Sequence, residues 1–217
     1  MNQNWLDRLE RKYSRFRIEN LMGIVVLGMG LVYALNTILA GVLHMPLSYL
    51  MAFDRSAILH GQIWRLITFV FIPPNASLLF ILISLYFYYV IGTSLEAQWG
   101  AFRFTVFYLC GVLGTIVSGM ITGYATNEFL NLSLFLAYAL LYPEREVLLF
   151  FILPIKVKYL GMLAAALLVL TFFGTRFWGK MALIAALINL ALFFGEDAIR
   201  AYKNAKRRRE WRNQFKR

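Results

Sequence analysis

Cysteine is almost missing from this chain: Cys110 stands alone, inside an apolar run. That excludes an intrachain disulfide and a cysteine-built metal site. Cys110 reads as a small buried apolar residue. Histidine is nearly as scarce. His44 and His60 are the only two, and nothing after residue 60 supplies another. Charge is thin as well: 15% of residues are charged and 60% are hydrophobic. A soluble domain of this length needs far more polar surface. The sequence calls for no cofactor and no metal.

Long apolar runs recur along the whole chain, and the mean hydropathy is +0.64. The expected fold is all-α, a polytopic membrane helical bundle with six transmembrane helices. The spans fall near 21–43, 76–93, 102–123, 129–142, 157–173 and 178–195. The membrane domain therefore covers 21–195. A basic amphipathic segment, 1–20, precedes it, and a basic tail, 196–217, follows. The first apolar run begins at Leu21 after basic residues and is too long for the core of a secretory signal, so it reads as a span.

The net charge is +11, and it is concentrated at the two ends. With both termini inside, the outside segments hold only Arg55, Arg65, Arg176 and Lys180. Every other basic residue falls inside. That asymmetry predicts cytoplasmic N- and C-termini, and the expected location is the cytoplasmic membrane of a bacterial cell, as a multi-pass protein. The ends are expected to meet anionic lipid. Trp5, Leu9, Tyr13 and Phe16 share one helix face, as in a helix lying in the headgroup region. Bare charge is unspecific, and the basic tails are not read as a nucleic-acid site.

Two further features carry structural information. The first outside loop, 44–64, is long and mostly apolar, and so is expected to lie partly in the outer leaflet. The third span places Gly111, Thr115, Gly119 and Gly123 four apart, a stripe that lets another helix approach closely. Gly161 with Ala165 repeats it more weakly.

The fourth span is short. From Phe129 to Tyr142 it reaches about 21 Å, against a hydrocarbon core of roughly 30 Å. Its inner end is marked by Tyr142, Pro143, Glu144 and Arg145. Its outer end, at Asn127 and Glu128, is then submerged and needs water or protein partners. The alternative is a connection that bulges outward and leaves Glu128 in bulk water.

Three stretches together resemble the rhomboid family of intramembrane serine proteases. They are "GQIWRLITFVF" (61–71), "LISLYFYYVIGTSLEAQWGAFRFTVFYLCGVLG" (82–114) and "AYALLYPEREVLLFFILPIKVKYL" (137–160). The resemblance covers roughly residues 60–195 and implies a rhomboid-like fold. It gives scaffold roles to Trp64 and Arg65, which hold the outer loop. It gives the same to Glu96, Gly100 and Arg103, which close the turn between the second and third spans.

The family's chemistry is a serine on the fourth span and a histidine on the sixth. Here the serine position falls near Glu128, and no Gly-x-Ser-Gly is present. Ser133 lies more than a turn deeper. The sixth span, "MALIAALINLALFF", has no histidine, and "NASLLFILIS" stands where the oxyanion donors would be. A hydroxyl needs a base within reach, and an oxyanion needs donors. No catalytic residue is therefore assigned. The resemblance implies a pseudoprotease that binds transmembrane segments of client membrane proteins without cleaving them. The candidate pocket is Asn127, Glu128, Ser133 and Asn189. An intramembrane serine endopeptidase with a rearranged active site is the alternative, and a lipid-handling or transport protein is the second alternative.

Overall fold

The protein is described from a computed structural model, over residues 12, 17–43, 46–74, 77–149, 153–174, 180, 183, 184, 187–191 and 193. Most of the basic N-terminal segment, His44 and the whole C-terminal tail lie outside these residues.

The apolar runs fold as helices. They are α1 (Leu21–Leu43), α2 (Leu47–Met51), α3 (Arg55–Leu59), α4 (Arg65–Thr68), α5 (Leu78–Trp99), α6 (Ala101–Thr122), α7 (Glu128–Leu141) and α8 (Val157–Gly174). Among the described residues α1, α5, α6 and α8 are long and apolar enough to cross a membrane, and α7 is a shorter apolar helix. The described part of the sixth expected span is helical over 187–191. The fold is thus a mainly helical membrane bundle, with four full-length spans rather than a demonstrated six.

The helix ends have local causes. Gly100 takes φ +85° between α5 and α6, and Gly123 takes φ +100° after α6. Both values lie where a Cβ is disfavoured. α5 runs six residues past its expected inner end at 93, because Gly92 does not break it and Gly100 is the first residue that does. The amides of Val157 and Lys158, which start α8, donate to the carbonyls of Arg145 and Pro143. Those carbonyls satisfy donors that a helix start leaves open.

In lipid, helices associate through close packing rather than exclusion of water. Small residues supply that contact here. A Cβ on Gly92 would meet Met22 of α1, one on Gly111 would meet Leu130 of α7 and Asn189, and one on Gly119 would meet Phe53 and Ala125. α7 packs against α5, α6 and α8, and α1 lies along α5. The core between them includes Met22, Met29, Phe69, Phe104, Phe107 and Leu134. The outer flanks stay apolar, with Leu27, Leu31 and Ile38 exposed on α1. That is the pattern of a lipid-facing surface.

Two short antiparallel ribbons join the helices. β1 (Phe53–Asp54) pairs with β2 (Tyr124–Ala125), and β3 (Glu146–Leu149) pairs with β4 (Leu153–Lys156). The first ribbon fastens the outer loop to the α6–α7 connection, helped by the Arg55 amide donating to Gly123 O at 2.9 Å.

Candidate functional site

The outer loop is held from inside by one guanidinium. Arg65 is 5% exposed. Its Nη1 donates to the carbonyls of Tyr49 (2.8 Å) and Ala52 (2.7 Å), and its Nε donates to Gln62 Oε1 (2.7 Å). Trp64 is half exposed, and its Nε1 donates to Leu50 O. The Thr68 hydroxyl donates to Met51 O. Asp54 caps α3 by accepting from the amides of Ser56 and Ala57. The Ala57 amide, with help from Ser56, holds the Asp54 carboxyl below its usual range. His60 is exposed, and its Nδ1 donates to Ser56 O within the same turn.

The four candidate pocket residues have separate surroundings. Asn127, buried just before α7, donates from Nδ2 to the carbonyls of Val70 (3.0 Å) and Ile72 (2.9 Å). It fastens the end of the outer loop to the start of α7. Ser133 is 2% exposed, and its Oγ donates to Leu130 O (2.7 Å) in its own helix. Asn189 is equally buried, and its Nδ2 donates to Phe107 O (3.2 Å) on α6. Glu128 alone is exposed. The structure therefore buries Ser133 with its hydroxyl bonded inside α7, brings Asn189 against α6 and Asn127 into the loop anchor, and leaves Glu128 at the surface.

At the inner end, Glu96 Oε1 accepts the Asn20 amide (2.8 Å), which ties the start of α1 to the foot of α5. The Thr105 hydroxyl accepts from the Ile18 amide beside it. Gly100 forms the elbow, and Arg103 is half-buried on the first turn of α6.

Helical rotation of about 100° per residue sorts the faces of α7. Asn131, Phe135 and Tyr142 face α5. Phe135 stacks near Phe87, and the Tyr142 hydroxyl donates to Ser94 O. Tyr88 of α5 lies beside the Asn131 side chain. Ala139 faces α8 at Gly161, and Leu136 packs with Leu168 and Leu183. Glu128 falls in angle between these two faces. Beside it is Asn131, buried, with its Oδ1 left without a partner. The start of α7 thus carries Glu128 and Asn131, with Tyr88 of α5 beside Asn131.

Asn131 and Tyr88 were not among the sequence candidates. A spacing of three from Glu128 and four from Asn127 was the available signal for Asn131. Tyr88 sits in "YFYYV", where spacing alone does not tell which tyrosine turns inward.

No ionisable cluster able to hold a metal occurs among the described residues. The helices, their apolar flanks and the polar residues within them define an integral membrane protein. The chain belongs to the family described as eukaryotic integral membrane protein (DUF1751), which it matches over residues 20–195. That description gives no support to a bacterial membrane. No curated protein and no solved structure matches the chain.

Proposed function

We propose that the chain is a rhomboid-like pseudoprotease, which binds transmembrane segments of other membrane proteins at the start of α7 and does not cleave them. The observation that carries this reading is the state of the only serine on α7. Its hydroxyl hydrogen is committed to Leu130 O, and the side chain is buried. A nucleophile needs the opposite, an exposed oxygen with a base beside it. His60 is bonded within its own turn on the outer loop.

The binding side of the proposal rests on the neighbourhood of Glu128. α5 and α8 both pack on α7 and share no extensive contact with each other among the described residues. A client helix entering between them would meet Glu128 at the surface, with the buried Asn131 one turn further along α7. Polar or helix-breaking residues are costly in lipid, and these groups lower that cost. The charge asymmetry of the sequence supports cytoplasmic termini.

The test has two arms. A photo-crosslinking residue in place of Glu128, in native membranes, is expected to capture other membrane proteins. Capture of lipid alone would contradict client binding. A fluorophosphonate serine probe is expected not to label the protein. Labelling that disappears in Ser133→Ala would establish a rearranged protease instead.

A further inference from the structure

Toward the other end of α7 from Glu128 lies a second feature, independent of the proposed client binding. A cavity of about 750 Å³ runs between α7, α8 and residues Leu183, Leu187 and Leu190. Its floor on α8 is periodic: Lys158, Met162, Ala165, Val169 and Phe173 follow one another at intervals of three or four. Leu136 and Leu140 of α7 form one wall, and Leu183, Leu187 and Leu190 form the other. Among the described residues Lys158 is the only charged one in the lining, and it stands at one end.

Size decides what such a groove holds. A helix with its side chains is roughly 10–12 Å across. Eighteen residues of it displace on the order of 2000 Å³ or more, well beyond this cavity. A methylene takes about the roughly 30 Å³ share of a water, so the groove has room for on the order of 25 methylenes. From Lys158 to Phe173 the floor is about 22 Å long. One leaflet of a bilayer is about 15 Å of hydrocarbon. The groove is too small to enclose a helix and long enough for a whole acyl chain.

The charged end fixes the chemistry of the head. Lys158 and Lys156 share the Glu144 carboxylate, at 2.7 and 2.9 Å. Arg145 lies beside them, stacked over the Tyr142 ring at 4.5 Å. Glu146 faces Lys156 across the second ribbon. Three cations thus stand against two carboxylates, an excess of positive charge at the mouth of an apolar groove. A phosphate there would meet the side chain of Lys158, which lines the cavity, and would share its ammonium with Glu144.

We propose that this groove is a resident phospholipid site, with an acyl chain lying along α8 and the phosphate at Lys158. The experiment is native mass spectrometry of the full-length protein. The protein is reconstituted in vesicles of phosphatidylcholine and phosphatidylglycerol, then extracted in mild detergent. One phospholipid is expected to stay with each chain. Ala165→Phe plugs the groove at mid-depth without touching the head site, and occupancy is expected to fall at least fivefold. Ala165→Leu, a smaller plug, gives an intermediate loss. Lys158→Gln is expected to lower phospholipid retention while leaving retention of added diacylglycerol unchanged. Circular dichroism checks that each variant keeps its helices. Equal retention in all variants, detergent alone in the wild type, or a second copy of the chain in place of lipid would each overturn the assignment.

Discussion

Gly161 of α8 lies directly against Ala139 of α7, so close that a Cβ on the glycine would come within 2.6 Å of the alanine methyl. α8 makes its main helix contact with α7, and this point fixes how near the two can stand. Gly161→Ala is expected to push the helices apart and to cost about 1–3 kcal/mol, the range for overpacking. Ala139→Gly in the same chain should restore most of it. Thermal unfolding in detergent, run as a double-mutant cycle, reads both effects. Simple additivity would show that the contact does not set the spacing.

Arg65 makes three hydrogen bonds from a nearly closed site. Arg65→Lys keeps the charge and loses the fork, since one ammonium does not reach the same three acceptors. Each buried carbonyl left open costs about 1–3 kcal/mol. The outer loop is expected to become sensitive to limited proteolysis within residues 46–64, while the helical bundle persists. Cleavage no faster than in the wild type would remove Arg65 from the anchoring role.

Asn127 offers a sharper distinction, because its amide donates to two carbonyls. Asn127→Asp puts a negative charge at the start of α7, which a helix dipole favours by some tenths of a kcal/mol. It also turns a donor into an acceptor facing two acceptors. The variant is expected to be less stable than Asn127→Ala in thermal unfolding at neutral pH. The reverse order would mean that the dipole outweighs the loop anchor.

Acid should loosen the inner loop in a defined window. Hydrogen bonds from Lys158, then Lys156, hold the Glu144 carboxyl down to about 2, against an ordinary value of 4.5. A depressed carboxyl stabilises the fold fully above its unfolded value and loses that contribution as pH falls through its folded one. Melting temperature should therefore be flat above about pH 5 and decline from there toward pH 2. Glu144→Gln should start lower and decline less. Asp54, depressed by the Ala57 amide, adds its own loss in acid. Parallel curves for the variant and the wild type would show that the Glu144 clasp contributes nothing.

Much of the fold is legible in the sequence, because an uninterrupted apolar run of span length has few alternatives. The runs at 21–43, 102–123, 129–142 and 157–173 stand within a residue of α1, α6, α7 and α8. The ribbons are not legible. Phe53–Asp54 becomes a strand only because Tyr124–Ala125 is folded beside it. The run around Leu149 reads like another apolar piece until Leu153 turns back on it. The candidate site is legible only as a place. Composition puts polar residues at the start of α7. Rotation about the helix axis then decides that Asn127 is consumed by carbonyls while Asn131 keeps an open oxygen.

The first ribbon also sets an order of events. Its strands, Phe53–Asp54 and Tyr124–Ala125, are about seventy residues apart in the chain. At roughly 5–20 residues per second, the ribosome takes about 4–14 s to deliver the second strand after the first. Late in that interval, once α5 is made, α1 and α5 can pair, yet the outer loop has no edge to rest on and no Gly123 carbonyl for Arg55 to find. The loop is thus finished late, by a segment made after the helices it covers, and a chain halted before α6 leaves it open to whatever quality control patrols that face of the membrane.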